Sequence, residues 1–211
     1  MPHDHHDHLS PSGHPFRQDN DGALTYWQRM EIAVRELMIE KGHTTAEDVA
    51  RQIDIMDARS PANGAAVVAR AWVDEGFKAE LLQDAAGASR AMGFDIGPLN
   101  LLAVENTEHV HNLIVCTLCS CYPRNLLGLP PDWYKTRAYR SRAVIEPRAV
   151  LREFGLDLGA DVQVRVHDST ADMRYIVLPA RPEGTDSMDE ADLAKLVTRD
   201  SMIGTGVPLT P

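Results

Sequence analysis

The ten residues Val115–Arg124 read VCTLCSCYPR, and they hold Cys116, Cys119 and Cys121, every cysteine that the 211-residue chain has. The run before them, HNLIV at His111–Val115, is short, apolar and rich in strand formers, and Pro123 ends regular pairing just past the last thiol. The stretch therefore predicts a buried strand that runs straight into a tight loop carrying three sulfurs. A chain of this length buries a sizeable core without disulfide help, so size does not explain the cysteines.

Bulk properties narrow the explanation. With 21 Lys and Arg against 31 Asp and Glu, the net charge is -10, which argues against a nucleic-acid or anionic-membrane surface, since both need clustered cations. Apolar runs such as NLLAV and NLIVC are too short to span a bilayer, and the N-terminus lacks the basic, apolar, small-residue order of a secretory signal. The expected location is the cytoplasm. There thiols stay reduced, an odd number of them makes a poor disulfide framework, and a ring from Cys119 to Cys121 would be badly strained.

Outward from the cysteines, the text divides in three. Residues 1–21 carry five of the nine histidines (His3, His5, His6, His8 and His14) among Asp, Pro, Ser and Gly, a composition that predicts a disordered tail. One reading of it is a solvated tail or tag; the other is weak capture of divalent transition metals. Residues 22–97 read as a helical arm. Trp27, Met30, Val34, Leu37 and Met38 fall three and four apart ahead of Gly42; Thr45 with Asp48 forms a capping box; Ser60-Pro61 opens a third helix through Trp72 to near Gly76; Leu81, Ala85, Ala88 and Met92 mark a fourth, stopped by Gly93. The stripes carrying Trp27 and Trp72 are suited either to an internal core or to wrapping a partner subunit.

Residues 98–211 read as α+β. NLLAVEN and HVHNLIV are strand-like, DVQVRVHD and MRYIVLP suggest a hairpin across Ser169–Asp172, and helices are expected at Pro147–Phe154 and at Asp189–Val197, the latter capped by Ser187 with Glu190. The expected architecture is a helical arm followed by a layered α-β-β-α domain carrying the cysteine loop.

Three sulfurs on so small a loop point to a metal claw. A closed zinc site wants four ligands, and C-x-x-C-x-C lacks a second cysteine pair, so zinc would have to borrow His109, His111 or His167. Alternatively, the peptide nitrogens of Ser120 and Cys121 lie beside the sulfurs, and a highly charged ion displacing their protons would take an S3N2 donor set with one position left open for water or substrate.

The residues then match a known family. VCTLCSCYP, with VENTEHVHNLIV before it and LLGLPPDWYK, YRSRAV, EPRAVLREFG and LVTRDSMIG after it, closely resembles the α subunit of nitrile hydratases and the corresponding metal-binding subunit of thiocyanate hydrolase. The likeness runs from about Leu24 to Gly206 and is strongest from Ala103 onward. It implies a non-corrin Co(III), for which Thr117 is the cue, with Fe(III) as the alternative. By motif position, Cys116 would be a thiolate, Cys119 a sulfinate and Cys121 a sulfenate, with the Ser120 and Cys121 amides completing the protein ligands; these oxidation levels lie on the ordinary ladder of thiol chemistry.

The resemblance further implies hydration of a nitrile to an amide, with an oxygen on Cys121, or a water activated by it, attacking carbon beside Ser120 and Arg124. It places Asp168, Asp172 and Arg174 in a hydrogen-bond network behind the claw, although the family usually has Glu at position 172. It also implies a β-type partner, in one chain or split into two, whose arginines hold the oxidised sulfurs. Three departures stand out: Arg124 where many nitrile hydratases have Trp, no Gln-Gly pair before VEN, and Met188 near the place of an expected C-terminal Trp. Arg124 suits either a polar or anionic substrate, thiocyanate included, or a subunit contact. Loss of the aromatic points to a larger or more polar nitrile, such as a nucleoside nitrile. A non-catalytic metal-binding or delivery protein is the reading from a different class.

Overall fold

The computed structural model describes residues 23–119 and 121–211; the His/Asp-rich segment of the sequence reading lies outside them. Backbone contacts divide the chain into two compact units that meet in sequence between Gln52 and Ile53.

The first unit holds α1 (Tyr26–Glu40) and the beginning of α2 (Ala46–Asp57). Thr25 and Gln28 cap α1 reciprocally, and Thr45 caps α2, with its hydroxyl accepting from the Asp48 amide at 3.0 Å. No residue of α1 is buried: Trp27 is 78% exposed, and Met30, Val34, Leu37 and Met38 continue an open apolar stripe.

The second unit begins inside α2 and continues with α3 (Pro61–Val73), α4 (Glu75–Gln83) and α5 (Ala85–Ala91). The sequence reading assigns these three helices to the arm, but they belong to the core of the globular unit. Gly64, Ala65, Val67, Val68, Ala69 and Ala71 of α3 are all buried, and a helix apolar on so many sides needs cover all round. The single helix expected over Leu81–Met92 is two, because Asp84 ends α4 and its carboxylate accepts from the Gly87 amide at 2.9 Å to start α5. Asp74 does the same for α4, ending α3 short of Gly76.

Four strands follow: β1 (Asn100–Glu105), β2 (Val110–Val115), β3 (Gln163–Asp168) and β4 (Met173–Leu178). They form two parallel pairs, β1 with β4 and β2 with β3. Asn100 faces Met173 in the first, and Val115 faces Asp168 in the second. The expected β3–β4 hairpin is therefore a corner between sheets. The Ser169 amide still extends the β2–β3 ladder to the Val115 carbonyl at 2.7 Å, whereas the Asp172 carbonyl already accepts from Asn100 of the other pair at 3.0 Å. Alternation and polar turn residues announce strands and a reversal, but not which neighbour each strand joins.

Between β2 and β3 run α6 (Arg124–Leu127), a 3-10 turn (Asp132–Lys135), α7 (Arg137–Ile145) and α8 (Pro147–Glu153), the long crossover that parallel strands require. After β4 come α9 (Glu190–Leu196) and α10 (Arg199–Ile203). The α9 cap is Asp189, accepting from Asp192, rather than Ser187. α4 and α5 pack on β1 while α7 packs on β2 and α8 on β3, giving a mixed, layered helix and strand fold. Among the described residues no helix is long and apolar enough to cross a membrane.

A buried polar chain ties the two sheets together. His111 Nε2 donates to the Gly204 carbonyl at 2.7 Å while its Nδ1 accepts from Asn106 at 3.3 Å. The Asn112 amide group donates to the Asn106 side chain and the Glu105 carbonyl, and its oxygen accepts from His167 Nε2 at 2.8 Å. Burial holds both imidazoles below the ordinary histidine value, so both are neutral at pH 7.

Candidate metal centre

β2 is buried along most of its length, and Cys116, fully buried, is the residue at which it leaves the sheet. Thr117, Leu118 and Cys119 then turn outward to solvent, and the chain returns to the interior at Cys121 and Tyr122 before Pro123 and α6. The apolar strand anchors one end of the loop and the buried Tyr122 the other.

The three sulfurs converge. Cys119 Sγ lies 3.1 Å from Cys121 Sγ and 3.6 Å from Cys116 Sγ, all three thiol sulfurs fall within 4.8 Å of one another, and none is in a disulfide. Metal–sulfur bonds of about 2.3 Å to one ion span about 3.2 Å at right angles and about 3.8 Å at tetrahedral angles. The donor set thus fits a single ion bound by three sulfurs. The Cys119 amide donates to Cys116 Sγ at 3.3 Å, closing the loop upon itself. Burial, reinforced by the Cys119 and Cys116 thiols and opposed by Arg174, pushes the Cys121 thiol up to about 12. An ion entering here must displace that proton.

No histidine joins the cluster among the described residues. His111 and His167 are committed to the polar chain between the sheets, and neither they nor His109 joins the cysteines as the alternative zinc reading would need.

Asp168, at the end of β3, grips the loop: its two carboxylate oxygens accept from the Thr117 amide at 2.9 Å and the Thr117 hydroxyl at 2.5 Å. The register of Val115 with Asp168 puts the carboxylate there. Arg174 of β4 donates from Nε to the Tyr122 carbonyl at 3.3 Å and from its terminal nitrogen to the Thr170 and Ala171 carbonyls. The Asp172 side chain is exposed and makes no hydrogen bond to the claw among the described residues; only its carbonyl is engaged, by Asn100. Arg124 opens α6 with its side chain exposed, lining an open cleft of about 290 Å³ with Met56, Arg59, Asn125 and Leu129. Met188 packs beside Leu193 and Leu196, in a small apolar cluster with Ala69. Trp72 is half-buried and its indole nitrogen donates to the Pro179 carbonyl at 2.8 Å. Ser120 lies outside the described residues.

Three residues absent from the sequence-derived set reach the loop from the crossover. The buried Tyr134 hydroxyl donates to the Cys121 carbonyl at 2.9 Å, the Tyr139 hydroxyl to the Ile114 carbonyl at 2.6 Å, and the Arg140 guanidinium to the Cys119 carbonyl. Burial raises both tyrosines above their ordinary value, so they remain protonated donors. Edge-on contacts of Trp133 with Tyr139 and Phe154, and of Tyr122 with Tyr134, lock this aromatic wall. Tyr134 in the 3-10 turn and Tyr139 in the basic α7 were the available signal, masked by the polar residues around them.

Comparison with known proteins bears on this site. The family described as nitrile hydratase, alpha chain, matches residues 25–206. The chain is 49% identical over 183 residues to the low-molecular weight cobalt-containing nitrile hydratase subunit alpha of Rhodococcus rhodochrous, covering 85% of this chain and 87% of that one. Among solved structures it superposes with a TM-score of 0.83 and 43% identity on a recombinant thiocyanate hydrolase comprising partially modified cobalt centres, over 88% of this chain and 91% of the other. It also matches a double mutant of the iron-type nitrile hydratase of Comamonas testosteroni Ni1, with a TM-score of 0.82 and 41% identity over 90% and 94% of the two chains.

Proposed function

From the premise that the chain belongs to the nitrile hydratase alpha-chain family, we propose that it is the metal-bearing catalytic subunit of a cobalt nitrile hydratase, converting a nitrile to its amide. The observation that carries this reading is the convergence of Cys116, Cys119 and Cys121 on one point, in a chain whose relative contains cobalt. The three sulfurs, with the Ser120 and Cys121 amides, would hold a trivalent cobalt ion, which supplies Lewis acidity toward a C≡N group. Trivalent iron is the alternative, supported by the likeness to an iron-type enzyme.

Within that reading the residues divide the work. Cys119 and Cys121 would carry oxygen on sulfur, as sulfinate and sulfenate, put there by molecular oxygen as the external oxidant. A water held by the Cys121 oxygen would add to the nitrile: its oxygen bonds to carbon as a C–N π bond breaks, and both of its hydrogens end on nitrogen. If the Cys121 oxygen attacked first, its S–O bond would break as the amide leaves and a water would restore it. Asp168, through Thr117, keeps the exposed limb of the loop in place during this step, and Arg174 sets its positive charge on the Cys121 side. Asp172 would serve only through solvent, since its side chain makes no hydrogen bond to the loop among the described residues. A β-type partner, in one or two chains, completes the site; the open stripe on α1 and the exposed Leu118 are the surfaces offered to it. We place the protein in the cytoplasm, where thiols stay reduced until metal arrives.

A second reading, a thiocyanate hydrolase subunit, draws on Arg124, three residues past Cys121 in sequence, and on the likeness to that enzyme. The test is expression with cobalt, iron and zinc all present, elemental mass spectrometry of the purified protein, and turnover of a nitrile panel against thiocyanate. Stoichiometric cobalt with amide production supports the proposal; thiocyanate turnover alone selects the second reading. Zinc in an unoxidised claw with neither activity would leave a metal-binding or delivery protein.

A further inference from the structure

Arg140 stands out among the cations near the claw. It donates to the Cys119 carbonyl, 21 residues away, yet no carboxylate pairs with it among the described residues, and its Nε is buried without a partner. Two residues on, Arg142 is saturated by Glu146 and Glu153. A half-buried guanidinium without a counter-ion is costly, and the group it does bind is the backbone of the cysteine loop.

We propose that Arg140 is a positioning residue of the claw, fixing the Cys119 carbonyl and setting a guanidinium charge beside the limb whose sulfur would bind metal. Three donors from one stretch hold carbonyls of the loop and of the strand before it, but Tyr134 and Tyr139 act on Cys121 and on Ile114, both in the interior. Of these three, Arg140 is the one that reaches the exposed limb at Cys119 and the one that brings charge; on that limb Asp168 holds Thr117 with the opposite sign. The inference rests on the function proposed above: if Cys119 binds an ion through sulfur, the hydrogen bond from Arg140 to its carbonyl fixes the backbone that carries that sulfur.

The test compares the full-length protein with Arg140→Gln, Arg140→Met and Arg140→Lys, each expressed with cobalt, and with Arg137→Met as a control. Arg137 lines the same groove as Arg140 and Thr117 but makes no side-chain hydrogen bond to the loop among the described residues. Readouts are the rate of metal release to a chelator, the visible sulfur-to-metal absorption, and the melting temperature. Loss of a residue supporting metal ligands is expected to speed release roughly 10- to 100-fold. The Met and Gln variants should show this together with a shifted absorption band, although Gln keeps a neutral donor; Lys should recover most of the retention, and Arg137→Met should match the parent. Parental release and spectrum in both neutral variants would overturn the inference, as would a lowered melting temperature with an unshifted spectrum. A parent that holds zinc or iron instead defeats the cobalt reading alone, because the release ratio can be read with that metal; a parent that holds no metal defeats both.

Discussion

Asp168→Asn tests the grip on the claw most directly. The carboxylate uses both oxygens on one residue, accepting from the Thr117 amide at 2.9 Å and its hydroxyl at 2.5 Å. A carboxamide has one acceptor oxygen and no charge, so one charge-assisted bond is lost. Such bonds contribute about 1.5–3 kcal/mol, and exposure of Asp168 favours the lower end. About 1.4 kcal/mol is a factor of ten in an equilibrium constant. The Asn variant should therefore bind metal roughly tenfold more weakly, and Asp168→Ala, which loses both bonds, roughly 100-fold, while global stability moves by less than about 1 kcal/mol. Competition against a chelator of known affinity, followed by elemental analysis, measures the first, and urea unfolding the second. Because the bonds share one partner, Thr117→Val combined with Asp168→Ala should cost clearly less than the sum of the single changes. Parental metal affinity in Asp168→Ala, or strict additivity in the cycle, would refute the clamp.

Other expectations follow from the fold. Burial holds His111 and His167 below the ordinary histidine value, so the unfolded chain takes up their protons first. Their contribution to stability is complete above about pH 6.5 and declines as pH falls through that value toward the folded one; His111→Gln should flatten the dependence of urea midpoint on pH. Gly204 has φ +88°, and a Cβ there would sit 1.9 Å from the Asn112 carbonyl oxygen, whereas Gly155 at φ +83° has open space around it. Gly204→Ala should cost more than about 4 kcal/mol and Gly155→Ala only about 1–2 kcal/mol, and equal melting temperatures would contradict the close approach. Asp189→Ala should destabilise by about 1 kcal/mol while Ser187→Ala is silent, since Asp189 is the residue that caps α9.

The claw was legible because its chemistry is local: Cys116, Cys119 and Cys121 stand close in sequence, and a strand followed by Pro123 leaves them only a tight loop. Helices with strong end signals, such as α2 behind Thr45 and α8 behind Pro147, were equally plain. What escaped depends on distant partners. The pattern of MRYIVL marks a strand, but its parallel pairing with β1 is decided by which buried edge is available. Asp74 and Asp84 resemble surface acids until their carboxylates are seen starting new helices. Tyr134, Tyr139 and Arg140 support the loop through its carbonyls, and backbone acceptors leave no imprint on the residue types around them.

The parallel pairing of β2 with β3 also sets an order of events during synthesis. Thr117 and the carboxylate that secures it are 51 residues apart, so on the ribosome the three thiols emerge well before Asp168, Tyr134 and Arg140 exist to restrain them. At the pace of translation, about 5–20 residues per second, the loop spends seconds as an unguarded, flexible thiol triplet. Any ion it meets in that interval is met without the geometry that discriminates among ions. If the loop binds metal as proposed, correct loading is an event of the finished domain, and a cell that makes this chain has reason to withhold the metal until β3 is in place.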